Sequence, residues 1–167
     1  MSSRSGIGYD SHRFAEGREL ILGGVEVEGA ERGLDGHSDA DALTHATIDA
    51  LLGAAGLGDI GLHFPDTDER WRDADSIALL REVVRMVGDA GWTVGNVDAT
   101  VICEAPKLGA YRERMRDTLA AALGTAPDAV NVKFTTNERM GPIGRGEGIA
   151  ALATAALAPI DGRAKDR

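Results

Sequence analysis

Apolar and polar residues alternate in several short stretches of this 167-residue chain, and this period of two predicts β-strands. Glycine, proline and aspartate clusters separate the stretches, as turns would. The predicted strands are SGIGYDSHRF (5–14), two short runs within ELILGGVEVEG (19–29), WTVGNVDATVICE (92–104) and VNVKFTT (130–136).

Apolar residues recur at helical spacing in three further segments. SDADALTHATIDALLGAAGLG (38–58) begins at Ser38 and Asp41, which resemble a capping box, and glycines end it. DSIALLREVVRMVGDAG (75–91) carries an apolar stripe that consists of Ile77, Leu80, Val84 and Val87. A third helix is predicted at 109–123. Propensity alone predicts another helix in the alanine-rich IAALATAALA (149–158). Strands interleaved with helices favour a two-layer α/β or α+β sandwich.

Composition narrows the function classes. The length suits one domain at 1–160, followed by a polar tail at 161–167. A net charge of −9 argues against a nucleic-acid groove or an anionic membrane surface as partner, because both need a basic patch. A single cysteine, Cys103, excludes an intrachain disulfide and is interpreted as a small buried residue of a reduced cytosol. Without a signal-like segment or an apolar run of about 18 residues, a cytoplasmic location is preferred over a plastid one.

Two glycine motifs look like nucleotide-binding loops but lie in the wrong context. GLGDIG (56–61) matches G-x-G-x-x-G, yet its glycines end a predicted helix, whereas the dinucleotide fingerprint follows a strand and opens a helix. GRGEG (144–148) lacks the Lys-Ser/Thr of a phosphate-binding P-loop. Neither motif predicts a nucleotide site.

A metal site is a better interpretation of three other residues. Asp10 and His12 lie two positions apart on a predicted strand, so they point the same way and stand about 6–7 Å apart. His45 lies within the first helix, with Asp41 and Asp49 four residues to either side as candidates to orient its ring. Two histidines and one carboxylate leave an open position, as in catalytic zinc sites. The alternative is that all three are ordinary surface or hydrogen-bonded polar residues.

The other two histidines have weaker assignments. His37 could be a fourth ligand, or together with Ser38 it could meet an anion beside the amides of the following helix. His63 is interpreted as a solvated loop residue. Two polar segments have no evident structural role. Acidic residues in a loop usually only form turns, which is the simpler interpretation of the first segment. In the second segment, hydroxyls and a guanidinium suit phosphate oxygens, and a carboxylate can carry Mg²⁺. Their residues are Asp59, Asp66 and Asp68 in one long loop, and Thr135, Thr136, Glu138 and Arg145 in the other.

Taken together, four stretches closely resemble the 2-C-methyl-D-erythritol 2,4-cyclodiphosphate synthase family. They are DSH, GHSDADALTHATIDALLGAAGLGDIGLHFPDTD, NVDATVICEAPK and TTNERMGPIGRGEGIA, and the likeness spans about residues 5–158. The resemblance implies a lyase of the non-mevalonate isoprenoid pathway that forms the cyclic diphosphate and CMP from 4-diphosphocytidyl-2-C-methyl-D-erythritol 2-phosphate. It also implies a homotrimer with active sites between subunits, and an α+β, ferredoxin-like sandwich with helices on one face of a mixed sheet. In that fold the alanine-rich end segment is a strand.

The resemblance also implies roles for individual residues. Zinc would be bound by Asp10, His12 and His45, and a bridging Mg²⁺ or Mn²⁺ by Glu138, while His37 and Thr136 would assist the phosphates. The residues expected to bind substrate are Asp10, Ser11, His12, His37, Ser38, Asp59, Ile60, Gly61, Phe64, Pro65, Asp66, Thr67, Asp68, Cys103, Glu104, Ala105, Pro106, Lys107, Leu108, Gly109, Thr135, Thr136, Asn137, Glu138, Pro142 and Arg145.

Three positions depart from the family pattern. Phe134 stands where relatives usually have a small residue, Asn137 where they often have Thr, and Pro142 where an aromatic residue commonly lines a channel on the trimer axis. These changes leave the zinc ligands intact and put in question any isoprenoid diphosphate in that channel. Two other functions fit the residues alone: a zinc-dependent phosphoesterase with water as nucleophile, and a trimeric binding protein with structural zinc.

Overall fold

The computed structural model describes residues 2–160, so the predicted tail at 161–167 lies outside the described residues. No helix in this described range is long and apolar enough to cross a membrane. The strands are β1 (Arg4–Ala15), β2 (Ile21–Leu22), β3 (Val25–Glu26), β4 (Gly33–Leu34), β5 (Trp92–Ile102), β6 (Val130–Thr135) and β7 (Gly148–Pro159). The helices are α1 (Ala42–Ala55), α2 (Ile60–His63), α3 (Ser76–Asp89), α4 (Arg112–Leu123) and α5 (Gly141–Gly144).

Five strands form one mixed sheet in the order β4-β1-β7-β5-β6. The pairs β1/β4, β1/β7 and β5/β7 are antiparallel, and β5/β6 is parallel. Helices α1, α3 and α4 enclose the hydrophobic core with this sheet. The α+β fold expected from the resemblance, with helices against a mixed sheet, is confirmed.

The helix predicted by propensity for the alanine-rich segment at 149–158 is wrong, because this segment is the central strand β7. Ala151, Ala153 and Ala155 are at most 2% exposed on its helix-facing side. Alanine favours helices in isolation, but here both ladder partners and the packing of a helix select the strand. Tertiary contacts override local preference at this position.

Glycines in β1 allow α1 to pack unusually close to the sheet. A Cβ atom on Gly8 would lie 1.9 Å from the Ala46 carbonyl oxygen, and one on Gly6 would lie 2.1 Å from that of Ala50. Because strand side chains alternate, the positions that face α1 continue from Gly8 to Asp10 and then His12. The strand therefore delivers the carboxylate and the imidazole against the N-terminal half of α1.

The start of α1 differs from the prediction. Asp41 is the N-cap and accepts from the Thr44 amide at 2.9 Å, so the helix begins at Ala42 and Ser38 is not part of a capping box. The same carboxylate accepts from the Gly23 and Gly24 amides at 2.8 and 2.7 Å. The Thr44 amide is therefore bonded to Asp41 and is not available to the predicted anion beside this helix.

Other local predictions are corrected in detail. On α3, Ile77, Leu80 and Val87 are buried as predicted, whereas Val84 is only half-buried. Leu79 and Val83 are also buried, so the apolar stripe is broader than predicted. The predicted long acidic loop contains the short helix α2, capped by Asp59. On the sheet face away from the helices, three large apolar side chains are exposed: Ile7 by 65%, Tyr9 by 59% and Leu152 by 39%.

Candidate metal centre and active-site cleft

Three side chains from β1 and α1 converge on one point. The Asp10 Oδ2 atom lies 2.8 Å from His12 Nε2 and 3.1 Å from His45 Nδ1, and these two nitrogens are 3.3 Å apart. Among residues 2–160, these three form the one cluster of His, Cys, Asp or Glu whose atoms could share a metal ion. Ligands of a tetrahedral zinc ion, with bonds of about 2.0–2.1 Å, lie about 3.3 Å apart. The separations therefore fit a divalent cation.

The hydrogen bond on the far side of the His12 ring fixes its tautomer. His12 Nδ1 lies 2.7 Å from the Asp35 carbonyl oxygen, which can only accept, so Nδ1 carries the proton. In the neutral ring, the lone pair is then on Nε2 and points to Asp10. This is the arrangement that a metal-binding histidine needs.

The His45 ring is held from behind by residues that spacing did not identify. Its Nε2 atom lies 2.8 Å from the Ser76 Oγ atom and 3.2 Å from Ser38 Oγ. The predicted partners on α1 do not contact this ring through hydrogen bonds, so that prediction is wrong. Asp41 caps the helix, and Asp49 accepts from the Ile60 amide at 2.8 Å.

The close contact between Asp10 and two imidazoles shifts the pKa values of Asp10 and His12. Burial raises the pKa of Asp10, but when the imidazoles of His12 and His45 are protonated, their hydrogen bonds and their charge outweigh burial and hold this pKa well below its ordinary value. Burial lowers the pKa of His12, whereas its hydrogen bond to Asp10 and the adjacent negative charge raise it above the ordinary value. A carboxylate and two imidazoles that compete for protons at one point are a donor set suited to a metal ion.

The cluster opens into a cleft of about 450 Å³. Its walls come from the segment before α1, from α2 and its following loop, and from the segment leading into α3. The lining residues are Asp10, His12, Gly36, His37, Ser38, His45, Ile60, Gly61, Phe64, Pro65, Asp66, Trp71 and Leu79. Nine residues predicted to bind substrate are among them, while Trp71 and Leu79 were not identified from the sequence.

His37 lies in the same cleft but outside the three-residue cluster, so its alternative as a fourth ligand is not supported. Its Nε2 atom lies 3.2 Å from the Asp68 carbonyl oxygen and donates to it. This bond ties the segment before α1 to the acidic loop. His63 is not simply solvated as predicted, since it is half-buried and its Nε2 atom donates to the Leu57 carbonyl oxygen at 2.7 Å.

A second group of predicted substrate residues lies at the ends of the parallel strands β5 and β6. The Cys103 amide donates to the Thr135 carbonyl oxygen at 2.9 Å, and the Asn137 amide donates to Glu104 Oε1 at 2.8 Å. The Thr136 hydroxyl donates to Glu138 Oε1 at 3.2 Å. None of these residues lines the cleft of the metal cluster within one chain. Within one chain, this second group is therefore separate from the metal cluster.

Comparison with known proteins identifies the family. A sequence model described as the YgbB family matches residues 3–158. The chain belongs to this family. The 2-C-methyl-D-erythritol 2,4-cyclodiphosphate synthase of Rubrobacter xylanophilus is 63% identical over 157 residues, which cover 92% of this chain and 94% of the relative. The family resemblance expected from the sequence motifs is confirmed.

Two solved structures of YgbB-type enzymes superpose on the chain. The bifunctional IspDF of Campylobacter jejuni matches with a TM-score of 0.92 and 41% identity, over 96% of this chain and 43% of that one. The CDP complex of IspF from Plasmodium falciparum matches with a TM-score of 0.83 and 31% identity, over 96% of this chain and 98% of that one. The second of these proteins binds a cytidine nucleotide on the same fold.

The remaining predicted residues of this family member lie elsewhere. Ser11 and Pro142 line a small cleft on the other side of β1, and the Arg145 Nε atom donates to Glu147 Oε1 at 2.8 Å. Cys103 is buried as predicted, its Sγ atom donates to the Ala105 carbonyl oxygen at 3.0 Å, and burial raises its pKa to about 11. A thiol in this state packs and does not react, so only its backbone is available to a ligand.

Proposed function

We propose that this chain converts 4-diphosphocytidyl-2-C-methyl-D-erythritol 2-phosphate into 2-C-methyl-D-erythritol 2,4-cyclodiphosphate and CMP, as a lyase of isoprenoid biosynthesis in the cytoplasm. The observation that carries the proposal is the convergence of Asp10, His12 and His45 at an open cleft in a member of the YgbB family. The name of the Rubrobacter relative and the CDP bound by the Plasmodium structure agree with this reaction.

Asp10, His12 and His45 would hold zinc, which in bound form polarises a phosphoryl oxygen and offsets negative charge. Three protein ligands leave one position for substrate, whereas a structural zinc site is usually closed by four. This distinction favours a catalytic role over a purely structural one. In the group of residues at the ends of β5 and β6, Glu138 would hold Mg²⁺ or Mn²⁺, because its carboxylate is exposed and hard cations prefer oxygen ligands.

The protein needs no general base for this reaction. The second pKa of a phosphate monoester is about 6, so the attacking 2-phosphate is mostly dianionic near pH 7. The chain has to bend one flexible substrate and bring two anionic groups together, and intramolecular alignment is worth about 7–11 kcal/mol. His37 and Thr136 would bind the phosphates during this step, and Asp59 the hydroxyl groups of the methylerythritol. The overall charge of −9 is compatible with an anionic substrate when positive charge is local.

We assign the active form to a homotrimer in which the two groups of site residues meet between neighbouring subunits. Two features support this assignment. The residues that follow β5 and β6 do not share a cleft with the metal cluster in one chain. On the uncovered sheet face, Ile7 and Tyr9 expose 65% and 59% of their surface, a pattern typical of a protein interface.

The test is incubation with the CDP-linked substrate, Zn²⁺ and Mg²⁺, followed by phosphorus NMR. We expect the cyclic diphosphate and an equal amount of CMP. Asp10→Asn should abolish the product, because the amide carries no charge and binds zinc poorly, while Glu82→Gln on the exposed side of α3 should retain wild-type turnover. Release of a free monophosphate in place of the cyclic product would indicate a water-dependent phosphoesterase and overturn the proposal.

A further inference from the structure

The environment of His45 extends beyond the cleft to a buried chain of hydrogen bonds. His45 Nε2 lies 2.8 Å from the Ser76 Oγ atom, and Ser76 is fully buried at the first residue of α3. The Ser76 hydroxyl in turn donates to Asp39 Oδ1. Asp39, Ser76 and His45 thus connect the segment before α1, the start of α3 and the metal cluster.

The direction of each hydrogen bond in this chain follows from Asp39. Its carboxylate receives three donors: the Ser76 hydroxyl, the Ser76 amide at 2.9 Å and the Asp41 amide at 3.1 Å. A carboxylate only accepts, so the Ser76 proton points to Asp39 and the Ser76 lone pairs face His45. His45 Nε2 must then carry a proton and donate it to Ser76. In the neutral ring, the lone pair is left on Nδ1, 3.1 Å from Asp10 Oδ2.

We propose that Asp39 and Ser76 are positioning residues that hold His45 in the Nε2–H tautomer, with its Nδ1 lone pair directed at the metal site. This inference rests on the proposed metal centre and adds two residues that touch neither the ion nor the substrate. Ser38 Oγ lies 3.2 Å from the same nitrogen, farther than Ser76 Oγ at 2.8 Å, so it is the weaker of the two acceptors for the Nε2 proton.

Substitution of Asp39 distinguishes this role from simple packing. Asn has nearly the same shape as Asp, but one of its two side-chain polar atoms is an NH₂ donor. This NH₂ group must face one of the groups that now donate a hydrogen bond to Asp39. If the amide turns to Ser76 Oγ, the serine proton is free to point to His45 and favours the wrong tautomer. If it turns to the Ser76 amide, two N–H groups oppose each other. Either arrangement weakens the constraint on His45 while it conserves side-chain volume.

The experiment compares Asp39→Asn and Ser76→Ala with Asp75→Ala. Asp75 caps α3 through the Ile77 amide at 2.9 Å, next to Ser76 along the chain, and has no hydrogen bond with His45. Zinc dissociation constants are measured against a chromophoric chelator on proteins whose folding is verified by circular dichroism. We expect the first two variants to bind zinc about 10–100-fold more weakly, as loss of partners behind a metal-binding histidine typically does, and the control to bind like wild type.

A second readout measures the tautomer directly, first in the wild-type protein. Long-range proton–nitrogen NMR of the metal-free wild-type protein, at a pH where His45 is neutral, should show the Nε2–H tautomer, and Asp39→Asn should shift the population toward Nδ1–H. The Nδ1–H tautomer in wild type, or wild-type zinc affinity in both variants, would overturn the positioning role. Failure of the wild-type protein to bind zinc would instead overturn the proposed metal centre. The tautomer measurement would still test whether Asp39 and Ser76 fix the His45 ring.

Discussion

Replacement of Gly8 by Ala should damage the metal centre from a distance. The new Cβ atom would lie 1.9 Å from the Ala46 carbonyl oxygen and 2.7 Å from the Ala50 amide nitrogen, and both of these atoms belong to the backbone of α1. Real Cβ contacts are essentially never shorter than 3.0 Å, so strand and helix must separate by about 1 Å at this point. Ala46 directly follows His45, and Gly8 is two residues before Asp10. The separation is therefore imposed on both sides of the cluster.

Gly6→Ala provides a matched control on the same strand. Its Cβ atom would lie 2.1 Å from the Ala50 carbonyl oxygen and 2.5 Å from the Ala54 amide nitrogen, so a similar separation is required. Here the strain falls near the C-terminal end of α1, away from His45. We expect each substitution to lower the free energy of unfolding by about 1–3 kcal/mol, the usual cost of overpacking.

The two variants should differ in metal binding. Metal–ligand distances tolerate only about 0.2 Å, so a displacement near 1 Å beside His45 should weaken zinc binding by at least about tenfold in Gly8→Ala. Gly6→Ala should bind zinc within about twofold of wild type. The assays are urea unfolding of the metal-free proteins and chelator competition for zinc. Equal zinc affinity in two equally destabilised variants would refute the idea that close packing of β1 on α1 sets the ligand geometry.

Three further predictions concern the cluster and the cysteine. His45→Ala should lose bound zinc and most turnover but keep the proposed trimeric state, as measured by metal analysis and sedimentation; full activity in a zinc-depleted sample would contradict this. In metal-free protein, the raised pKa of His12 stabilises the fold below about pH 6.5 and this contribution fades as pH rises through the raised value. The lowered pKa of Asp10 contributes above about pH 3.9 and fades as pH falls through the lowered value. Both contributions are complete between these two pH values, so His12→Asn should flatten the dependence of unfolding temperature on pH above about pH 6.5 and below about pH 3.9. With a pKa of about 11, Cys103 should be about 0.1% thiolate at pH 8, and rapid reaction with a thiol reagent in the folded protein would exclude this burial.

The cluster of Asp10, His12 and His45 could be predicted because each residue lies on an element that the sequence pattern indicates. Strand alternation puts Asp10 and His12 on one face, and His45 lies in a helix that the sequence predicts clearly. Spacing alone left a surface role open for all three. The family motifs named the three ligands together, and the structure then showed that their atoms converge within 3.3 Å.

The supporting residues could not be predicted in the same way. Ser76 lies 31 residues from His45 in sequence, and the separation between Asp41 and the Gly23 amide is 18 residues. Local periods contain no information about such contacts, which depend on how the segment before α1 crosses the start of α3. The residues four positions before and after His45 were plausible partners for its ring. The Asp41 carboxylate, however, caps α1 by accepting a hydrogen bond from the Thr44 amide.

The composition of the chain has a direct consequence for the metal centre. Only 4% of residues are aromatic, and the contact of β1 and β7 with α1 is built from glycine and alanine. With large side chains in this layer, the backbone of the helix would stand farther from the strand, and side chains as short as Asp10 and His45 would not reach each other. The small residues bring the Ala46 carbonyl against Gly8, and the same approach leaves Asp10 Oδ2 only 3.1 Å from His45 Nδ1. The glycine and alanine content that makes the core compact is thus also what allows a strand and a helix to bring their candidate metal ligands to one point.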